Sequence, residues 1–291
     1  MTTIQSFNLL KNYVESEQFK GYDPYDTLNS HVPFHWLGNW GSVLATQFQK
    51  RNPLNIRSIL GIKKEINPKA FGLFLQSYCM LYKQNKMNEY LNKANYFYEY
   101  LKHNYSVGFS GYCWGYNFPW ASPGEFVEKF APTAVVTGFV VKGLFHYYQI
   151  TGNDEVVNII SSSANFIKND LHITETEGGV CISYTTKWPD FCFNASLLAA
   201  EVLAINYKLT KDEESKKIAL SAVNWVINHQ HNDGRWNYSI DRKSGEQREQ
   251  IDFHQGYILM SLNSIKGLID FDGWVELDNA ISKGLKFYYE N

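Results

Sequence analysis

A motif that occurs three times in this sequence restricts the folds that the chain can adopt. Each copy begins with a tyrosine at the end of an apolar segment, crosses a short polar turn and enters a second segment with helical periodicity. The copies read "YKQNKMNEYL" from Tyr82, "YQITGNDEVV" from Tyr148 and "YKLTKDEESK" from Tyr207, so successive tyrosines lie 66 and 59 residues apart. A supersecondary unit repeated at such a spacing indicates an array of helical hairpins.

The two helices of each hairpin differ in how apolar they are. The segment before each turn, such as "PTAVVTGFVVKGLFHYY" or "NASLLAAEVLAINY", is apolar on nearly every side, as helices buried all round are. The segment after each turn is amphipathic; Ile218, Ala222 and Val226 share one face. Buried inner helices alternating with amphipathic outer ones predict an all-α fold, an α/α toroid.

The predicted boundaries follow from the same repeat. Four inner helices are expected to begin near Lys69, Thr133, Asn194 and His254. Further helices near 4–19 and 35–50 bring the number of hairpins to about five, in one domain over 1–291. Thr151 and Thr210 stand three residues before acidic residues, which predicts capping boxes at the second helices. The glycine-led connections "GYCWGYNFPW", "GGVCISYTTKWPD" and "DGRWNYSID" predict short extended segments between hairpins.

Composition excludes several classes of function. A formal charge of −2 gives no electrostatic reason to expect a nucleic-acid partner. The four cysteines form no CxxC pair, so neither a zinc site nor a disulfide framework is expected, and no cofactor is expected. The first twenty residues lack the pattern of a signal peptide, and no apolar run is long enough to span a bilayer, so we expect a cytoplasmic protein without membrane insertion.

Polar and aromatic residues concentrate where the inner helices are expected to begin. Aromatic faces stack on sugar rings, while carboxylates, amides and arginine bind hydroxyl and acidic groups, so this end predicts a carbohydrate site. Helix N-termini would also favour an anionic ligand. The candidate binding residues are Arg57, Lys69, Trp114, Tyr116, Asn117, Trp120, Asn194, Trp236 and Tyr238. The candidate catalytic residues are Asp23, Asp26, Tyr184, Asp252 and His254.

Each candidate also has a structural interpretation. Asp23 and Asp26, in "GYDPYDTLNS", could make Asx-turns around Pro24, and the sequence favours this structural role and the catalytic role equally. Arg57 could be a structural ion-pair partner, and Asn194 could cap a helix. The tryptophans could pack beneath the loops. For Glu201, inside an apolar inner helix, a structural hydrogen bond is favoured over catalysis.

The hairpin repeat and its aromatic end resemble the α/α-toroid carbohydrate-active enzymes, which include six-hairpin glycosidases and toroid polysaccharide lyases. "GYDPYDTLNS" together with "NPLNIRSILGIKKEINPKAFGLFL" also resembles uncharacterised proteins of bacterial polysaccharide biosynthesis. The resemblance implies an oligosaccharide or polysaccharide substrate, including acidic glycans. It carries no catalytic signature.

Two enzymatic mechanisms fit these residues. In a hydrolase, Asp23 or Asp26 and Asp252 would form the carboxylate pair, and this alternative is slightly favoured. In a lyase or epimerase, Arg57, Asn194 or His254 would neutralise a uronate while Tyr184, Tyr238 or His254 moves a proton. A non-catalytic glycan-binding or scaffolding toroid is a third alternative. The absence of DDxxD, DxDD and zinc-ligand motifs argues against a terpenoid cyclase or a prenyltransferase.

Overall fold

A computed structural model of the chain describes residues 2–122, 125–250, 253–271 and 273–291. The chain divides into two compact units. The first comprises Met1–Phe71 with Trp114–Ala131, and the second comprises Gly72–Cys113 with Pro132–Asn291. A single domain over 1–291 stays a prediction.

Four consecutive helical hairpins account for most of the second unit. Their inner helices are α3 (Pro68–Asn85), α5 (Ala134–Thr151), α7 (Phe193–Thr210) and α9 (His254–Leu268). Their outer helices are α4 (Asn88–His103), α6 (Asp154–Asn169), α8 (Glu213–Asn228) and α10 (Val275–Glu290). All four inner helices begin within a residue or so of the predicted positions. The hairpin repeat and the all-α prediction are therefore confirmed.

The inner helices pack closely because small residues lie where they cross. A Cβ atom at Gly143 of α5 would overlap the backbone carbonyl oxygen of Gly72 in α3. A Cβ atom at Gly138 would lie 3.1 Å from the Cβ atom of Leu198, on α7. Because neither glycine has a side chain, the helix backbones can approach each other.

A buried polar group connects three inner helices. Glu201 on α7 is 1% exposed; its carboxylate lies 3.0 Å from the ammonium group of Lys142 on α5 and accepts a hydrogen bond at 3.0 Å from Ser261 on α9. A buried carboxylate requires such partners. This agrees with the structural role that was favoured for Glu201.

The turns inside the hairpins correct the predicted helix caps. Asn153 and Asp212, not Thr151 and Thr210, accept hydrogen bonds from the first-turn amides of α6 and α8. Thr151 instead donates its hydroxyl to the Tyr147 carbonyl at 2.8 Å and remains the last residue of α5. The inner helices α5 and α7 thus end at Thr151 and Thr210, about one turn after Tyr148 and Tyr207, where the repeated motif predicted their ends.

Short antiparallel strands occupy the connections between hairpins, as predicted. In the second unit, β3 (Ile173–Thr176) pairs with β4 (Gly179–Ile182), and β5 (Phe191–Cys192), β6 (Ser239–Ile240) and β7 (Gln247–Arg248) form a small sheet. In the first unit, β1 (Trp120–Ser122) pairs with β2 (Glu125–Val127).

The first unit also contains α1 (Thr3–Ser16) and α2 (Gly38–Arg51), which confirms a helix in each of the two N-terminal positions. Two 3₁₀ turns, Asp26–Asn29 and Phe34–Leu37, lie between them and pack against α2. The pairing of α1 and α2 as a fifth hairpin stays a prediction. No helix in the described part of the chain has the length and apolar character needed to cross a membrane.

Candidate functional site

In the first unit, the acidic turn is organised around an ion pair. Asp26, which is 3% exposed, accepts hydrogen bonds from Arg57 Nε through both carboxylate oxygens, at 2.9 and 3.0 Å. The backbone N–H of Asp23 donates to the same carboxylate at 3.0 Å. Burial raises the pKa of Asp26, and the hydrogen bond from Arg57 opposes that shift. The structure therefore corrects the expectation that Asp26 faces a ligand, because its carboxylate is turned inward and paired.

Asp23 makes the Asx-turn that its sequence context allowed. Its Oδ1 atom accepts the backbone N–H of Tyr25 at 2.9 Å, and Asn67 Nδ2 lies 3.4 Å from Oδ2. Burial raises the pKa of Asp23, whereas burial lowers the pKa of Lys69, whose charge interacts with Asp23. Both shifts favour the neutral forms of this pair. Asp23 is therefore a carboxyl group that is more easily protonated than an exposed one.

The connection in the first unit is more buried than predicted. Trp114 is 1% exposed and Asn117 is 5% exposed, with the Asn117 amide 3.4 Å from the carboxylate of Glu65. The expectation that Trp114 and Asn117 contact a ligand is corrected, since both lie in the core. Tyr116 stacks on Phe118 with ring centroids 5.2 Å apart, and Trp120 is half-buried at the start of β1.

In the second unit, two predicted tyrosines lie at the start of inner helices. The Tyr184 carbonyl accepts the backbone N–H of Ala134, the first residue of α5, at 2.9 Å. The Tyr238 carbonyl accepts the backbone N–H of Phe193, the first residue of α7, at 3.4 Å. Backbone groups at helix N-termini otherwise lack partners, so these bonds fix both connections to the helices.

Their side chains form a cluster with two residues of α9. Tyr184, Tyr238 and Tyr257 pack against the same buried group, which includes Phe139 and Cys192. His254 lies edge-on to Tyr238, with ring centroids 4.8 Å apart and an interplanar angle of 71°. We call Tyr184, Tyr238, His254 and Tyr257 the aromatic rim; all four are half-buried. The rim brings together three of the predicted residues.

Two features beside the aromatic rim carry positive charge. The guanidinium of Arg248 lies 5.4 Å from the centroid of the Tyr238 ring, and the N-termini of α5 and α7 begin beside Tyr184 and Tyr238. A helix N-terminus carries a partial positive charge that favours anions. The rim can thus present imidazole and phenol groups beside a region suited to a carboxylate.

Asp190 holds the connection that carries Tyr184. Its Oδ2 atom accepts the backbone N–H of Tyr184 at 2.9 Å, and burial raises its pKa to about 6. Nearby, burial raises the pKa of the Cys192 thiol to about 12 and that of Cys181 well above its ordinary value. Neutral thiols are poor nucleophiles, so we assign these cysteines to the core.

Two predicted binding residues are buried and are not part of the rim. Trp236 is 3% exposed and donates its indole N–H to the Val226 carbonyl at 2.8 Å. Asn194 is 5% exposed and accepts a hydrogen bond from the Cys192 thiol at 3.1 Å. Cys192, not Asn194, is the N-cap of α7. The expectation that Trp236 and Asn194 are exposed to a ligand is therefore corrected.

Asp252 lies outside the described residues, so its role stays a prediction. The expectation that Asp23 reaches the same site as His254 also stays a prediction. Among the residues that the structure describes, no group of three or more histidine, cysteine or acidic side chains could hold a metal ion.

Sequence reasoning missed two residues of this site. Tyr257 follows His254 by three positions on α9, a spacing that places both on one helix face. Arg248 lies on β7 and pairs with Ser239 of β6. Ser239 directly follows Tyr238 in the chain, so this pairing brings Arg248 close to Tyr238. The helical spacing could have identified Tyr257. The register of β6 and β7, which brings Arg248 to Tyr238, has no comparable sequence signal.

The sequence matches no protein-family model and no curated protein. Solved structures do share its fold. A sugar epimerase from a ruminal bacterium aligns with a TM-score of 0.59 and 13% identity over 79% of this chain and 62% of that one. Cellobiose 2-epimerase from Bacillus thermoamylovorans aligns at 0.57 and 14% identity over 79% and 63%. A glycosyl hydrolase of family 88 from Bacteroides vulgatus aligns at 0.53 and 15% identity over 76% and 60%.

This chain therefore spans about three fifths of the length of these structures. At such low identity the likeness establishes architecture. The hairpins that alternate inner and outer helices, with short strands between them, have the α/α-toroid fold.

Proposed function

We propose that this protein is a carbohydrate-active enzyme that uses the aromatic rim to act on an acidic sugar. The reaction class that the rim supports best is proton transfer at a ring carbon, as in a lyase or an epimerase. The observation that carries this proposal is the contact of His254 with Tyr238, beside Arg248.

Binding of a sugar follows from the side chains of the rim. The half-buried rings of Tyr184, Tyr238 and Tyr257 offer apolar faces for a pyranose and hydroxyl groups for its polar edge. The N-termini of α5 and α7, with Arg248, favour a ligand that carries a carboxylate. An oligosaccharide containing a uronate satisfies both requirements.

The chemical step needs a group that takes a proton from carbon and a charge that stabilises the resulting carbanion. Imidazole takes and returns protons readily near neutral pH, so His254 is assigned as the base. Arg248 is assigned to the sugar carboxylate, where its charge lowers the barrier to removing the adjacent proton. Tyr238, in contact with both residues, is assigned to donate its hydroxyl proton to the leaving glycosidic oxygen in a lyase reaction, on the same side of the sugar as His254.

This assignment gives His254 and Tyr238 proton-transfer roles that the lyase or epimerase alternative gave them, while Arg248 takes the uronate-binding role that was expected of Arg57. It leaves hydrolysis as a second candidate, because one observation favours it. Burial raises the pKa of Asp23, as is required of the carboxylic acid that protonates a leaving oxygen. Asp26 is less suited to this role because Arg57 occupies its carboxylate.

The architecture is compatible with both candidates, since the structures that share it include two named as epimerases and one named as a glycosyl hydrolase. The proposed substrate class is therefore an oligosaccharide or polysaccharide, and the acidic character of the sugar rests on Arg248 and the helix N-termini.

The experiment compares His254→Gln and Tyr238→Phe with the unaltered protein on neutral and uronate-containing oligosaccharides. Each variant should lower turnover about 100-fold or more, because general acid–base catalysis contributes that much. His103→Gln is the matched control, since His103 is an exposed histidine on α4. Sugar binding that persists in all variants without any turnover would instead support a non-catalytic glycan-binding protein. Turnover that is unchanged in His254→Gln would overturn the assignment.

A further inference from the structure

Helix α2 in the first unit has its polar side inward and an apolar side outward. Leu37, at its N-cap, and Trp40, Leu44 and Phe48 are 63–74% exposed. Their spacing of three, four and four residues places them on one helix face. We call these four residues the α2 stripe.

The opposite face of α2 consists of buried polar side chains, whose burial contributes little hydrophobic stabilisation. Ser42, Thr46 and Gln49 are at most 9% exposed. The Ser42 hydroxyl and both polar atoms of the Gln49 side chain have no hydrogen-bond partner within the described part of the chain. Burying unpaired polar groups costs free energy, so hydrophobic burial within one chain does not explain this orientation of α2.

The α2 stripe has the size and composition of an interface core. Aromatic side chains of this kind bury about 150–250 Å² each, so the stripe with the neighbouring Trp36, 80% exposed, offers on the order of 600 Å². A standard interface buries about 800 Å² per partner. Tryptophan and phenylalanine are enriched at such interfaces, and charged residues are depleted at their centre. The stretch "GNWGSVLATQFQ", 38–49, contains no charged residue.

We propose that the α2 stripe is covered by the α2 stripe of a second copy of this chain, related by a two-fold axis near Leu44. Trp40 and Phe48 lie four residues before and after Leu44, so antiparallel pairing places Trp40 of one copy against Phe48 of the other. Such a contact is self-complementary, as a two-fold interface requires. It also brings no like charges together along the stripe.

A membrane surface fits the same stripe less well. Helices that lie on membranes present a strongly charged face, rich in lysine and arginine, opposite the apolar one. In α2 the opposite face consists of the buried Ser42, Thr46 and Gln49, and the basic residues Lys50 and Arg51 occur only in its last turn.

Light scattering at high micromolar protein concentration tests this proposal. The unaltered chain should have a mass about twice 33.7 kDa. Leu44→Glu should weaken dimerisation about 100-fold or more, because the axis would bring two carboxylates together. Leu44 is 65% exposed, so this change does not disturb the core, which circular dichroism verifies. Val107→Glu, at a 76% exposed site on the second unit, is the matched control and should remain dimeric.

Cysteine cross-linking locates the axis. Leu44→Cys should form a disulfide with its own counterpart under mild oxidation, whereas Val107→Cys should not, and the four native cysteines are buried. A monomeric unaltered chain would overturn the proposal, as would a dimer that survives Leu44→Glu. A monomer that binds phosphatidylcholine–phosphatidylglycerol vesicles through Leu44 would also overturn it, in favour of a membrane surface.

Discussion

The side chain of Arg57 donates through Nε to both carboxylate oxygens of Asp26, at 2.9 and 3.0 Å, and through Nη2 to the backbone carbonyl of Asp23 at 2.9 Å. Arg57 thereby fixes the acidic turn from a distance of 31 residues along the chain. Both side chains are mostly shielded from water, with 15% of Arg57 and 4% of Asp26 exposed. We infer that this pair is structural.

Removing Arg57 should therefore destabilise the first unit. Arg57→Leu leaves a buried carboxylate without its partner, which typically costs about 3–5 kcal/mol of unfolding free energy. The double variant Arg57→Leu/Asp26→Asn should recover part of that loss, because the uncompensated charge is then absent. Chemical denaturation measures both. Equal stability of Arg57→Leu and the unaltered protein would contradict a structural role.

Asp23→Asn distinguishes the two candidate reactions. Asparagine can accept the Tyr25 N–H as aspartate does, so stability should change by less than about 1 kcal/mol. Under the proposed lyase or epimerase reaction, turnover should also stay within a few-fold. If turnover instead falls about 100-fold while the thermal midpoint is unchanged, Asp23 acts as a general acid and hydrolysis becomes the better assignment.

Asp190 should make stability depend on pH. Its folded-state pKa of about 6 is above the ordinary value of 3.8, so the folded state holds the proton more tightly than the unfolded chain does. The stabilisation is present below the ordinary pKa and is lost as the pH rises through about 6. Relative to the unaltered protein, Asp190→Asn should gain about 2 kcal/mol between about pH 4.5 and about pH 7.5.

Denaturation of both proteins at the two pH values provides the comparison. Asp190→Asn retains an oxygen that can accept the Tyr184 N–H, so the connection should keep its conformation. A difference between the two proteins that does not change with pH would show that the Asp190 carboxyl is not buried as described.

Arg248→Gln tests the acidic character of the substrate. Loss of the guanidinium should weaken binding of a uronate oligosaccharide about tenfold or more, since charged hydrogen bonds contribute about 1.5–3 kcal/mol. Binding of a neutral oligosaccharide should change much less. Calorimetry with both sugars measures the difference, and an equal loss for both would indicate that Arg248 only supports the ring of Tyr238.

The hairpins could be predicted because periodicity is a local property. The apolar inner helices and the turns after Tyr148 and Tyr207 are visible within twenty residues of sequence. The burial of an aromatic residue is not local: Trp236 donates to the Val226 carbonyl, and its ring packs where a side chain at Gly284 would lie. A tryptophan in a glycine-led connection serves equally well for stacking on a sugar and for packing under a loop.

In the candidate site, too, some features are visible in local sequence and others depend on tertiary contacts. The sequence predicts Tyr184, Tyr238 and His254 as candidates because each lies near the predicted start of an inner helix, and the structure brings the three side chains into one cluster. The pairing of Arg57 with Asp26 depends on tertiary contact across 31 residues, so sequence could offer it only as one alternative. Arg248 was missed because strand register, which brings it to Tyr238, leaves no sequence signal.

We propose that the aromatic rim breaks a carbon–hydrogen bond of a sugar, and proton NMR of the reaction in D₂O detects that step. With a uronate oligosaccharide, the protein should either replace a ring proton by deuterium, as an epimerase does, or produce a vinylic proton, as a lyase does. His254→Gln should abolish the change, whereas His103→Gln should not. New reducing ends with every ring proton retained would contradict the claim and identify a hydrolase.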